Sequence, residues 1–498
     1  MIGFNNIPAD LAVPLFYAEI DNSAAAIGGN TLRRLIIGQA SDDVDVTPPL
    51  LTLLSRPGDA VTLAGEGSML AAMSDIWRRG DPVGEVWGIA VKVAEGVAAK
   101  GVIDLRGRAE ETGLLSLYIA GRRIRVTVAS GTGTTDVILQ LVAAINGTSN
   151  MPVYAAVVGG KLELTCKWKG ETGNDIRVEF NRGGLAANER IPAGLTATIT
   201  PMANGAGSPD LTEALAAIGD AEFEFVCQPW SDPYSLSAFA EWMNDVSGRW
   251  AWSSMLFGHV YTARRGTPGQ LAGGGRFFND QHLTINGFEV DSPRPSWEQA
   301  AAFAARQSVF ISADPARPTQ TGLLVGIEAA RPGKRFILSE RQTLLTSGIA
   351  TTSSADGSVR IERAITTYQR NSYGQPDDSY LDSETMHTSA HVIRYLRNRI
   401  TSKYGRHKLA ADGTRFGPGT AIVTPRIIRA ELIAAYDELE RAGIVENADL
   451  FARYLVVEIN RSNPNRVDVL FPPDYINQLR IFALLNQFRL QYREAAAA

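Results

Sequence analysis

Apolar positions along this chain switch between two periods, and the switches mark its elements. After Leu32 the run Leu35-Ile36-Ile37-Gly38 is apolar on both faces, as a strand covered from two sides would be. Met69, Met73, Ile76 and Trp77 then recur at helical spacing between Ser68 and Arg78, and residues 86–93 read as another strand. Strand, helix, strand predicts a parallel sheet unit. The same order resumes with a helix at 211–218, a strand at 223–227, a helix at 236–246 and a strand at 255–261. Ser296 with Gln299, and Ser339 with Gln342, have capping-box spacing, so two more helices are predicted to open there, the second stopped by Gly348. Residues 359–368 read as a strand folding back through Asp356-Gly357 onto 349–352.

Between about 94 and 206 the pattern changes to short β-rich runs at 114–119, 124–128, 153–158 and 161–167, with one helix at 136–145 and a hairpin turn at Gly159-Gly160. This reads as an inserted domain that leaves its host discontinuous. The last 140 or so residues predict helices at 383–404 and 425–442. The second has Thr424 as N-cap, Pro425 at its first position, Gly443 past its end, and an apolar stripe of Ile428, Leu432, Ala435 and Leu439. Strands at 455–459 and 467–471 flank the turn Asn463-Pro464-Asn465. The run 479–485, with Leu479, Ile481, Phe482 and Leu484, is apolar on both faces and reads as a strand covered from two sides. Near the other terminus, Leu15, Phe16, Ala18 and Ile20 belong to a lone strand on an Ala- and Gly-rich tether, and a lone strand must join a sheet of its own or another subunit. The division expected is an arm (1–30), an α/β core (31–93 and 207–360), a β-rich insertion (94–206) and an α+β C-terminal domain with its own arm (361–498).

Length and charge narrow the function. A chain of 498 residues has room for about three domains. Its 48 Lys and Arg against 53 Asp and Glu leave a net charge of −5, so no global field draws it to nucleic acid or an anionic membrane. The most apolar stretch, 86–103, is broken by Lys92, Glu95 and Lys100, so direct membrane insertion is not expected. No basic and apolar leader pattern opens the chain, which is expected to fold in the cytoplasm where it is made. Cys166 and Cys227 cannot build a disulfide framework or a four-thiolate metal site, and read as buried hydrophobes.

A catalytic reading finds little to hold. No G-x-S-x-G occurs, and Ser68 after Gly65-Glu66-Gly67 is explained as a helix N-cap. His387 and His391 could share a helix face with Glu384, but Thr388-Ser389-Ala390 between them lacks the glutamate of H-E-x-x-H, so they read as an incidental surface pair. Gly131-Thr132-Gly133 lacks a third glycine, Gly333-Lys334 is followed by Arg335 where a phosphate loop needs Ser or Thr, and Gly273-Gly274-Gly275 carries no chemistry. No catalytic, cofactor or metal residue is therefore assigned. One charge feature is unusual. Arg394, Arg397, Arg399, Lys403, Arg406 and Lys408 fall in a segment without an acid, flanking an expected buried stripe of Ser389, Ile393, Leu396 and Ile400, and this points to an acidic partner outside the segment.

The string Ser339-Glu340-Arg341-Gln342-Thr343-Leu344-Leu345 with Gly348-Ile349, followed by Val359-Arg360-Ile361-Glu362-Arg363-Ala364-Ile365-Thr366-Thr367-Tyr368, resembles a block of the tail sheath proteins of Mu-like contractile phages. Asp378-Ser379-Tyr380-Leu381-Asp382, Thr424-Pro425-Arg426, Asn463-Pro464-Asn465-Arg466-Val467-Asp468 and, more weakly, Gly67-Ser68-Met69 continue the likeness. The resemblance implies an α/β core domain shaped like subtilisin without its triad, an outward-facing insertion, a C-terminal domain facing the tail tube, and terminal arms that add strands to neighbouring subunits. It further implies hexameric rings stacked helically around the tube, with baseplate and tail terminator proteins as other partners, and contraction that drives the tube through a bacterial envelope. The protein would sit in the virion after assembly in the host cytoplasm. The basic segment would then face an acidic tube, and no cofactor is implied. A sheath of a tailocin-like injection particle is an alternative of the same structural class; a cytoplasmic α/β hydrolase would need a triad that the residues do not supply.

Overall fold

A computed structural model describes residues 32–354, 356–417 and 419–489. The expected arm strand of Leu15, Phe16, Ala18 and Ile20 lies outside the described residues. Nine strands form the main sheet: β1 (Arg34–Gln39), β2 (Thr52–Leu53), β3 (Val86–Val91), β4 (Phe225–Cys227), β5 (His259–Gly266), β6 (Leu283–Glu289), β7 (Leu323–Glu328), β8 (Ala350–Ser353) and β9 (Ser358–Arg363). Their order is β7-β9-β8-β6-β5-β4-β1-β3-β2. From β8 to β3 every pairing is parallel, whereas β2 and β9 run antiparallel to their neighbours.

All six residues of β1 are buried, which is why its sequence shows no alternation. The two-residue period reappears in what each face touches. Leu35 and Ile37 join Val226, Val260 and Ile285 on one face, under helices that supply Leu236, Phe239, Leu271 and Leu344. Ile36 joins Phe225 and Tyr261 on the other, beneath α1 (Met69–Gly80) and α2 (Ser296–Ala313). Gly38 lets α1 lie close against β1, since a Cβ there would stand 2.9 Å from Leu70 Cα. Ser68 caps α1 as read, its hydroxyl accepting from Ala71 N at 3.2 Å.

Residues 98–203 carry two further sheets. In the larger, Val153–Val158 pairs with Lys161–Lys169 across the turn at Gly159 and Gly160, both at positive φ, and Lys161–Lys169 pairs with Ala98–Gly107. Val153–Val158 is an edge strand, and Asn146 blunts it by donating to Ala155 O and accepting from Ala155 N, both at 2.9 Å. The C-terminal region packs α3 (Ser383–Tyr404) and α4 (Pro425–Arg441) with a hairpin of Val456–Ile459 and Val467–Leu470. The predicted stripe of α4 is buried, and Tyr436 stacks on Phe451 at 3.8 Å.

Four expectations are corrected. Residues 255–258 precede the strand read at 255–261, which starts at His259. Ser296 forms no capping box, because its N–H donates to Asp175 Oδ2 at 2.5 Å and Gln299 turns to Ser292. The helix read from Ser339 opens earlier, at Leu338, with Glu340 accepting from Ile337 N at 2.9 Å. Residues 479–485 form no strand within the chain, and Leu479, Ile481, Phe482 and Leu484 are exposed.

Candidate functional site

In an open parallel sheet, ligands enter at the carboxyl ends of the strands, where the strand order turns back on itself. Here that point lies beside β1, whose neighbours β3 and β4 lead to opposite halves of the sheet, and the insertion fills it. Gln39, the last residue of β1, donates to Lys169 O at 2.8 Å and accepts from Thr172 at 2.7 Å, and Thr172 in turn accepts from Trp168 Nε1 at 3.0 Å. Trp168 meets Trp297 of α2 edge-on, with ring centroids 5.3 Å apart. Arg265, near the end of β5, pairs with Asp175, and Asp291 binds Arg177 at 2.9 Å and Arg331. Burial opposes ionisation of Asp291, but the Arg331 and Arg177 contacts prevail and hold its carboxyl at about 2.

At the opposite, amino ends of the strands the C-terminal domain docks through buried charge. Glu224, just before β4, contacts His387 Nδ1 with one oxygen and Arg394 Nη2 at 2.5 Å with the other. His387 Nε2 lies 2.8 Å from Tyr261 OH; Arg394 also reaches Glu222 at 2.6 Å and donates to Phe257 O at 3.2 Å. Burial resists ionisation of Glu224, yet the Arg394 and His387 charges bring its carboxyl down to about 2. Carboxylate, imidazole and hydroxyl stand here in the order of a hydrolytic triad. Tyr261 is fully buried, however, and burial raises its phenol well above the ordinary value, so no substrate meets an activated oxygen. The surface-pair reading is corrected for His387, which is buried as a structural link, while His391 is exposed and does not join it. Among the described residues no group of three or more His, Cys, Asp or Glu could hold a metal ion.

The basic segment needs a correction. Its missing acids are on this chain. Arg394 is spent on Glu222 and Glu224; Arg399 binds Glu431 at 2.6 Å and Glu438 at 2.5 Å; Lys403 also binds Glu431. Burial opposes ionisation of Glu431, but Lys403 and Arg399 hold it at about 2. The buried face of α3 therefore carries Glu384, His387 and Arg394, whereas Ile393 of the expected stripe is 39% exposed. Of the six cations, Arg406 and Lys408 are exposed and Arg397 is half-buried. Sequence reasoning missed Glu222 and Glu224; the available signal was a carboxylate inside the apolar run Phe223-Glu224-Phe225-Val226.

Among the described residues, two apolar surfaces have no cover. A groove of about 690 Å³ lies between α3, α4 and the hairpin, with Ile393, Leu396, Ile400, Leu432, Val469 and Phe471 in its walls. Among the described residues the hairpin beside it has two strands, so its edges present backbone groups with no strand against them, and Val456 and Leu470 on it are exposed. The second surface is the C-terminal run itself, where Leu479, Ile481, Phe482, Leu484, Leu485 and Phe488 are each more than two-thirds exposed.

The family model for the phage tail sheath protein central domain matches residues 204–367, and that for the phage tail sheath C-terminal domain matches residues 375–489. The Mu-like prophage FluMu tail sheath protein of Haemophilus influenzae is 38% identical over 494 residues, covering 98% of this chain and 100% of that protein. Among solved structures, the sheath tail protein of Desulfitobacterium hafniense covers 94% of this chain and 97% of its own at 12% identity and a TM-score of 0.49. That of Listeria innocua covers 89% of this chain and 92% of its own at 12% identity and a TM-score of 0.46. With a full-length relative at that identity and two matched domains, the chain belongs to the phage tail sheath family and is a structural tail sheath protein of the Mu-like kind.

Proposed function

We propose that this sheath protein polymerises as hexameric rings, stacked helically around a tail tube, and shortens to drive the tube through a bacterial envelope. Its subunits stay joined through terminal arms: residues 15–20 and 479–485 add strands to the C-terminal sheets of neighbours. The observation that carries this reading is the pairing of incomplete surfaces, an apolar groove with open hairpin edges on one side and an exposed apolar run on the other. Neither is stable in water at that size without cover. The core domain has the shape of a subtilisin without a working triad. The insertion faces outward and the C-terminal domain inward, a placement supported by their positions at opposite ends of the main sheet. Arg397, Arg406 and Lys408, the cations of the basic segment without an acid partner described above, face the tube. Baseplate and tail terminator proteins close the assembly at its ends, and no cofactor takes part. The extended sleeve stores its free energy at assembly and releases it by repacking interfaces.

Negative-stain microscopy of the purified chain tests the reading. Hollow sleeves or striated tubes are expected, and deletion of residues 1–24 should leave folded protein that does not polymerise. Discrete particles from the intact chain, or normal sleeves from the truncated one, would refute polymer and arm respectively.

A further inference from the structure

The exposed C-terminal run is interrupted by one buried charge. Leu479 and Ile481 are 71% and 80% exposed, but the Arg480 side chain between them is only 11% exposed. Its guanidinium nitrogens are shielded from solvent and make no aligned hydrogen bond. What compensates the charge is a pair of carboxylates at the start of α3, Asp382 and Glu384, each 3.2 Å from Nη2. Both are held from elsewhere. Arg363, the last residue of β9, grips Asp382 with two bonds of 2.8 and 2.9 Å, and Thr319 donates to Glu384 from its N–H at 3.0 Å and its hydroxyl at 2.8 Å.

The residues before Arg480 are tied down in sequence. Ile476 N donates to Ile444 O at 3.2 Å, Asn477 donates to Glu446, Gln478 donates to Ala316 O at 2.7 Å, and Gln320 donates to Leu479 O at 3.2 Å. Beyond it Ile481, Phe482, Leu484, Leu485 and Phe488 are exposed. We infer that Arg480 is a positioning residue, the pin that fixes where the C-terminal arm leaves the subunit, so that the segment offered to a neighbour begins at Ile481. The inference rests on the arm reading above. It adds that the exit is anchored to the core sheet and the first turn of α3, and not to the hairpin. From a fixed exit the five residues 481–485 can span at most about 17 Å, so the acceptor for that apolar run lies within that reach of Arg480.

The experiment uses the full chain and three variants, Arg480→Ala, Arg480→Lys and a deletion of residues 481–498, with hydrogen exchange read on unassembled protein and sleeves scored by microscopy. Arg480→Ala should speed exchange at Ile476 by about tenfold and reduce sleeve formation, while the core amides of β1 and β5 keep their protection. Arg480→Lys, which retains the charge, should restore both readouts in part. Unchanged exchange at Ile476 together with normal sleeves in Arg480→Ala would overturn the pin. If Arg480→Ala does not fold, Arg480→Gln, of similar reach without charge, answers the same question by the same two readouts. Normal sleeves from the deletion would overturn the arm reading instead, and Ile476 exchange in Arg480→Ala would then still decide whether Arg480 anchors the segment.

Discussion

Glu224 is a buried carboxylate at the entrance to an apolar strand, and ionising it there is tolerable only because Arg394 and His387 both face it. Removing one partner leaves the other charge stranded. Arg394→Met should therefore lower unfolding stability by about 3–5 kcal/mol, and adding Glu224→Gln should recover part of that loss, both measured by denaturant titration. The same residues give a pH dependence. Glu224, Asp291 and Glu431 are each held at about 2, below ordinary carboxylates, so the folded state binds fewer protons than the unfolded chain. Their contribution is complete above the ordinary carboxylate range and is lost as pH falls through about 2. Melting temperature should fall steadily from about pH 4.5 toward pH 2, and less steeply in Glu224→Gln. The acids that meet Arg394, Arg399 and Lys403 lie outside the segment but on this chain, and the segment's own charge count could not locate them for a physical reason. Arg394 meets Glu222 across 172 residues of sequence, and a local count of charge cannot see a pair closed by the fold.

Elements whose boundaries rest on local chemistry were legible. Ser68 caps α1, Pro425 opens α4 and Gly443 follows its end in the left-handed region, because each feature is decided within one turn. Ser68→Ala should cost about 1 kcal/mol in thermal or denaturant unfolding without changing the fold. Elements that answer to distant partners were not legible. The box at Ser296 is lost to Asp175 of the insertion, and the run 479–485 enters no sheet among the described residues. A charge-reversal experiment separates the two uses of basic side chains on and after α3. Arg399→Glu with Lys403→Glu sets new acids against Glu431 and Glu438, so it should lower the melting temperature and loosen α3 from α4 whether or not a tube is present. Arg397→Glu, Arg406→Glu and Lys408→Glu together should leave melting nearly unchanged while weakening the hold on tubes, most at low salt. If this triple variant coats tubes normally, the tube-facing assignment falls.

Across the whole molecule, the α/β order of the core could be read because its strands are continuous apolar runs separated by patterned helices. How the parts meet could not, since Trp168 against Trp297 and Gln39 against Thr172 are pairings between segments far apart in sequence. They also change what excising residues 94–206 should do. The cut would uncover Trp297, which is fully buried, and strip Arg265 and Asp291 of partners from the insertion. Replacing the insertion with a short Gly/Ser linker should lower the melting temperature by several degrees and still permit sleeves, as calorimetry and microscopy would show. Folded protein unable to form any sleeve would place the insertion in the wall of the polymer. The placement of the insertion and the C-terminal domain at opposite ends of one mainly parallel sheet has a mechanical consequence. A pull between them runs along the strands, across the ladder bonds, so the hydrogen bonds from β8 to β3 are loaded together in shear and do not open one after another like a zip. The subunit should be stiffest along the line joining insertion to C-terminal domain and weakest across the sheet, where β2 is held by only two residues.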